Sequence, residues 1–340
     1  MNNSQKKLSD FYTNKNFLLK KSLEQFAEKT KFFPQIGIEL EFYLLDQNSQ
    51  HLENQALIED YIDLLMQIFL QDSTIYKIEK EQGASQIEIK IAPHSDLILL
   101  SQKVEKIKFA AKNLAQKNNL IACFEAQPFV DDCGSALQFN FSLHDIDGKN
   151  LFAENDDEQN KAEQNLFASQ KNIADENKLM MSAIAGMLDS IEQAMIFYAP
   201  QARDYLRFDL EINRALHKKG KFTAPVNISF GENNRTAAIR IPHIKKSHNN
   251  FFSAQEKLGN HRIEFRVATA DADPFLAIAS LLIAMPHAIN NQAIPQDSQK
   301  IFGNAFDVQY SLKEFAKNLQ IAEEIFFAEE NFIRKNFENL

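Results

Sequence analysis

The chain has 340 residues, 44% of them hydrophobic, with 46 acidic against 37 basic side chains and a net charge of −9. That balance argues against a nucleic-acid partner, because phosphate binding needs dense Lys and Arg. Two cysteines, Cys123 and Cys133, are too few for a disulfide framework or a cysteine-rich metal site.

The first ten residues, MNNSQKKLSD, are polar and lack the apolar core of a signal peptide. Residues 15–33 set Leu and Phe among Lys and Glu at helical spacing. Residues 36–43, IGIELEFY, alternate instead: Ile36, Ile38, Leu40 and Phe42 share one face, Glu39, Glu41 and Tyr43 the other. An amphipathic helix is predicted over 55–71. In QIEIKI (86–91), Ile87, Ile89 and Ile91 oppose Glu88 and Lys90. Ser95 and Asp96 start a helix over 95–118. In ALQFNFSL (136–143), Leu137, Phe139, Phe141 and Leu143 oppose Gln138, Asn140 and Ser142. Residues 153–178 are polar and read as a surface loop or solvated helix, an insertion of about 150–180.

A buried helix over 180–200 ends at Pro200. TAAIRIP (236–242) sets Ile239 and Ile241 against Arg240; RIEFRV (262–267) sets Ile263, Phe265 and Val267 against Arg262, Glu264 and Arg266. Asp273 caps a helix over 274–285 with Pro274 in its first turn. The apolar run 274–289 is shorter than the ~20 residues of a membrane span and contains Pro286 and His287. From about 312 the tail reads helical, within a helical tail of 300–340. No repeat or linker divides the chain, and a cytoplasmic protein with no membrane partner is expected.

Five strands thus carry one apolar face, for helices to cover, and one face rich in Glu and Arg. Crowded carboxylates repel and are costly to desolvate unless a cation sits among them. Arginine pairs are one solution. Hard divalent cations such as Mg²⁺, which take oxygen ligands, are the other. Guanidiniums nearby suit phosphate or carboxylate. The pattern therefore leaves two readings open, a solvent-exposed face or a metal–phosphate site. No Gly-rich phosphate loop accompanies it.

Taken in order, five segments resemble the catalytic domain of the type I glutamine synthetase family: GIELEFYLL (37–45), EQGASQIEIK (81–90), CGSALQFNFSLHD (133–145), NNRTAAIRIP (233–242) and HRIEFRVATADADPFLAIASLLIA (261–284). NNRTAAIRIP is the strongest match. The resemblance implies an α+β fold, a curved antiparallel sheet (half-barrel) covered by helices. It implies ATP and Mg²⁺ or Mn²⁺ as cofactors, with glutamate and ammonia or a primary amine as substrates, joined through a γ-glutamyl phosphate. Glu41, Glu81 and Glu88 would hold one metal ion; Glu39, Glu264 and Gln138 would hold the second. Arg235 and Arg240 would bind ATP phosphates, near Asn140 and Ser142. Arg235 would also reach the glutamyl phosphate, and Arg266 and Arg207 would bind glutamate.

The chain departs from the family pattern in four places. The stretch before Glu39 matches only the helix ahead of that strand, so a single domain (1–340) without the family's N-terminal β-grasp domain is expected. That puts the usual ring of shared sites in question and leaves a homo-oligomer or association with another synthetase chain open. Gln138 stands where the family has a histidine. Cys133 and Ala136 replace an asparagine and a glycine; a space-filling thiol is the expected role of Cys133. Thr223 stands where the family's flap carries the glutamate that binds ammonium. FDLEINRALHKKGK (208–221) is longer than its family counterpart, basic at its end, and expected to be mobile. Two functions follow: an amine ligase that uses ammonia poorly, or a catalytically impaired homologue acting as a nucleotide-binding regulatory or partner subunit.

Overall fold

The computed structural model describes residues 3–153, 177–243 and 261–340. The polar stretch expected as a surface loop lies almost wholly outside these residues. Helices α1 (Asn3–Thr13) and α2 (Lys15–Thr30) lead into a long strand, β1 (Phe33–Leu45). Then come α3 (Gln55–Ile68), β2 (Ile75–Lys80), β3 (Gln86–His94), α4 (Leu97–Lys117), β4 (Ile121–Cys123) and β5 (Leu137–His144). After α5 (Lys178–Tyr198) and a 3₁₀ turn, Ala202–Phe208, follow α6 (Leu210–Lys218), β6 (Phe230–Glu232), β7 (Ile239–Ile241) and β8 (Ile263–Phe265). The remaining helices are α7 (Pro274–Asn290), α8 (Leu319–Phe327) and α9 (Phe332–Asn339).

The strands form one open sheet in the order β2-β3-β1-β5-β8-β7-β6, with β4 paired to β1 beyond β5. All pairings are antiparallel except β6 with β7, which is parallel; the expected antiparallel sheet is mixed at that edge. The sheet's apolar face is the predicted one. Ile38, Leu40, Phe42, Ile87, Ile89, Phe139, Phe141, Ile263 and Phe265 are all fully buried in one core cluster.

Helices α5 and α2 both pack against α7, and their buried side chains share one core cluster with that face. Gly186 permits the α5–α7 approach, since a Cβ there would lie 2.6 Å from the Met285 Cα. Helix α5 is long and apolar enough to cross a membrane by length and composition, but it is mostly buried inside the protein. Helix α7 continues through Pro286, five residues past its predicted end, to Asn290. The proline forfeits a main-chain hydrogen bond, yet burial of Ala288 and Ile289 beyond it holds the last turn in place.

Two further segments carry structure that the sequence reading did not specify. The stretch 208–221, expected to be mobile, contains helix α6, capped by the Asp209 side chain on the Ile212 N–H. Asn213 locks this helix inward: its amide donates to the Arg207 carbonyl and its oxygen accepts from the Ala224 N–H, both at 2.8 Å. Of the tail, only α8 and α9 are helical. Residues 300–318 run irregularly along the sheet edge, bridging at Phe230–Lys300 and Asn227–Glu314.

Candidate active site

The second face of the sheet is polar but not open to water. Glu41, Glu88 and Glu264 are only 7%, 4% and 2% exposed. A plain solvated face does not bury carboxylates this way, because each must then find a partner or take a proton.

Register sets the layout. Glu41 lies opposite Glu88, and Glu39 lies between Lys90 and Gln138. Asn140 lies opposite Glu264, which lies opposite Arg240. Period-2 alternation on five antiparallel strands therefore brings Glu39, Glu41, Glu88, Gln138, Asn140, Glu264, Arg240 and Arg266 onto one surface.

At the β3–β1 end the carboxylates have few cations. Glu41 accepts from the Ala136 N–H (2.8 Å) and the Gln138 amide (2.7 Å). Burial, and then Glu81, push its carboxyl up to about 7, with Arg207 opposing. Burial and the neighbouring Glu39 and Glu41 raise Glu88 well above the ordinary carboxylate range, against the pull of Lys90. Lys90 bridges Glu88 and Glu79 at 2.9 Å each. Burial also raises Glu81, with Lys90 and Arg235 opposing.

At the β8–β7 end the carboxylate is clamped. Glu264 receives Arg240 Nη1 at 2.6 Å and Arg266 Nη1 at 2.7 Å. Burial alone would raise its pKa, but Arg266 and Arg240 hold it below the ordinary value. Gln138 joins the two ends, donating to Glu41 and accepting from Arg266 Nη1 at 3.1 Å.

The remaining predicted residues are placed differently. Arg207 is buried and donates to the main-chain carbonyls of Val267 (3.0 Å) and Arg266 (3.1 Å); burial lowers its pKa to about 10. Arg266 Nη2 meets the carbonyls of Thr223 (3.3 Å) and Arg235 (3.1 Å). Both predicted glutamate-binding guanidiniums thus face protein carbonyls. Arg235 is exposed, with its guanidinium 4.3 Å from the Phe222 ring centre. Asn140 donates to Glu39 (3.0 Å) and accepts from Arg262 Nε (2.7 Å), while the Ser142 hydroxyl meets His144 Nε2 at 3.0 Å. Cys133 is buried and its thiol pushed up to about 12 by burial and then Asp132, as befits a space-filling residue.

For a divalent cation, Glu41, Glu81 and Glu88 have the right chemistry: hard oxygens whose mutual repulsion a cation would relieve. Among the described residues, however, no three His, Cys, Asp or Glu side chains converge at ligating spacing. The other proposed set fits less well. Glu264 is committed to two arginines, and both ends of the Gln138 amide are used within the protein.

Several residues at this site had no role in the sequence reading. Alternation placed Lys90 on the face of Glu88, but not its ion pairs to Glu88 and Glu79. The segment 220–223 is clipped down by Gln82, which reaches both the Gly220 carbonyl (3.2 Å) and the Phe222 N–H. Lys221 adds an ion pair to Asp132 at 2.6 Å. No sequence signal marked these, because each contact joins residues nearly 90 or more apart.

An open mixed sheet, helices on one face and a buried carboxylate–guanidinium surface on the other, define an α+β fold of the glutamine synthetase type. A family model described as "Glutamine synthetase, catalytic domain" matches residues 16–164 and 159–339, so the chain belongs to that family. It is 26% identical over 301 residues to the γ-glutamylputrescine synthetase PuuA of Escherichia coli (strain K12), covering 81% of this chain and 55% of the relative. To a glutamate–isopropylamine ligase of Pseudomonas sp it is 28% identical over 331 residues, covering 91% and 63%. To a glutamine synthetase of Sulfolobus acidocaldarius it is 27% identical over 233 residues, covering 68% and 42%. The chain thus spans from under half to under two thirds of these relatives' length. An apo GmaS structure superposes with a TM-score of 0.71 at 20% identity, covering 96% of this chain and 71% of that one.

Proposed function

We propose that the chain is an ATP-dependent ligase that joins the γ-carboxylate of glutamate to an amine. One observation carries this reading: a single buried surface holds repelling carboxylates at one end and guanidiniums at the other. The first end suits a hard cation and the second an anionic phosphoryl group. Relatives named for ligation of glutamate to putrescine and isopropylamine support the reaction class.

In this reading Glu41, Glu81 and Glu88 would hold Mg²⁺ or Mn²⁺, which would supply positive charge opposite a phosphoryl group. Arg235, exposed beside the surface, and Arg240 meet ATP phosphates, with Asn140 and Ser142 toward the nucleotide. Glu264 orients Arg240 and Arg266 rather than binding a second ion. Arg266 exchanges its main-chain carbonyl partners for the glutamate carboxylate when substrate enters, and Arg207 backs it. Thr223 offers no charge to attract ammonium, so a primary amine is the better nucleophile. The test is ADP release by the chain with MgATP and glutamate, with ammonium or a panel of primary amines. No stimulation by any of them would end this reading.

A second reading has its own observation. Arg207 and Arg266 are both engaged with protein carbonyls. If they do not release, the chain binds nucleotide without turnover and acts as a regulatory or partner subunit. Calorimetric binding of MgATP without product under every amine would favour it.

A further inference from the structure

A cavity of about 460 Å³ opens among the helices, where α1, the end of α5 and the starts of α7 and α8 meet α4. That is room for a small organic molecule. Leu8, Ile196 and Leu319 give it apolar walls, and Tyr12, Asp271 and Glu323 give it polar ones.

Its charge is only partly balanced. Lys15 bridges two of the lining carboxylates, Glu105 and Asp273, the latter at 2.7 Å. The other two, Asp271 and Glu323, make no ion pair among the described residues; Asp271 accepts from the Thr269 hydroxyl at 2.7 Å. Lys108 is the one cation of the lining, and its ammonium donates to the Ala272 carbonyl at 3.0 Å. Among the described residues no three acids converge at ligating spacing, so an organic cation suits this lining better than a metal ion.

A buried polar group with nothing to bond stands behind the wall. Tyr205, on the 3₁₀ turn Ala202–Phe208, is 7% exposed, and its hydroxyl has no hydrogen-bond partner. Leaving such a group unsatisfied costs free energy. Burial, then Asp204, Glu323 and Tyr12, push this phenol above its ordinary range. Glu323 and Tyr12 are cavity walls, so the hydroxyl faces the cavity and keeps its proton and its accepting lone pairs. The same turn carries Arg207 toward Glu41 and Arg266 on the polar face.

We propose that this cavity binds a small primary ammonium compound with a short apolar tail, at a site separate from the candidate active site. The ammonium donates to Asp271, Glu323 and the Tyr205 oxygen beside the Tyr12 ring, and the tail lies against Leu8, Ile196 and Leu319. A carboxylate ligand would meet Asp271 and Glu323 with like charge, and an uncharged one would leave both without a counter-charge. Binding here needs neither ATP nor glutamate, so it does not depend on the ligase reading.

Calorimetric titration of the full chain, free of metal and nucleotide, with butylammonium, 1-butanol and butyrate isolates the charged group at similar ligand size. Butylammonium is expected to bind about tenfold or more tightly than the other two, with the gap narrowing in high salt. Glu323→Gln should weaken it about tenfold and Tyr205→Phe about threefold. Tyr205→Phe should keep the parent's Tm, because its hydroxyl has no partner to lose. Butylammonium binding no tighter than 1-butanol overturns the proposal. Unchanged affinity in either variant also overturns it, since the ammonium then sits elsewhere.

Discussion

Glu88 and Glu264 are the same residue type, both almost fully buried on the same face of one sheet, and burial acts on both alike. Yet Glu88 is driven up by Glu39 and Glu41, with only Lys90 in opposition, while Glu264 is held down by two guanidiniums. Burial therefore does not decide whether a carboxylate stays charged; the neighbours across the strand do. The β3–β1 end is an anionic surface short of cations, and the β8–β7 end sets two guanidiniums against one carboxylate.

The clamp is the place to break this contrast most severely. Arg266→Met removes one guanidinium from Glu264 and leaves Gln138 and two carbonyls without their donor. A loss of about 3–5 kcal/mol in denaturant unfolding is expected. A loss under about 1 kcal/mol would show that the clamp does not hold the fold.

The open end is probed by adding what it lacks. Mg²⁺ at a hundredfold excess over its Kd should stabilise the parent by about 2.7 kcal/mol. Glu41→Gln and Glu88→Gln should each remove most of that gain, and an unchanged gain in both removes the metal from this surface.

A gentler change keeps the charge at the clamped end and alters its shape. Arg240 spans Glu264 at 2.6 Å and Asn233 at 2.5 Å. Arg240→Lys cannot reach both, so about 1.5 kcal/mol of stability should go, with weaker MgATP binding in titration. Equal binding would make Arg240 structural only.

The smallest effect is on pH dependence in metal-free buffer. A carboxyl raised in the folded state adds stability when protonated, and that stability is lost as pH climbs from the unfolded value of ~4.3 through the folded one. Glu41, at about 7, and Glu88, also raised, should make the parent less stable between pH 5 and 8. Glu88→Gln should flatten that slope by on the order of 1 kcal/mol. Glu264, held low, contributes in the opposite direction: its stability is present above ~4.3 and lost as pH falls below it.

The strands were legible because alternation has a period of two and a one-residue slip would bury glutamates in the apolar core. Ile36–Phe42, Ile87–Ile91 and Leu137–Leu143 announced both their conformation and their polar partners. Short edge elements were less legible. Ile121–Cys123 and Phe230–Glu232 are three residues each, too brief for periodicity to speak, and β6 is parallel because of where the chain returns. Helix α6 was hidden by its basic end and shows itself through the Asp209 cap and the buried Asn213.

By itself the sequence determined the polar face and its membership: which glutamates, arginines and amides share a surface follows from alternation and pairing alone. Tertiary structure decided what each of them does. Glu264 is clamped while Glu88 is not, and Arg207 and Arg266 turn to carbonyls. Residues 220–223 are clipped to Gln82 and Asp132. These depend on contacts between segments far apart in the chain, where charge and hydrogen-bond partners meet only after the sheet has closed its register. Periodicity reports the face a side chain takes, and three-dimensional neighbours set its charge and its task.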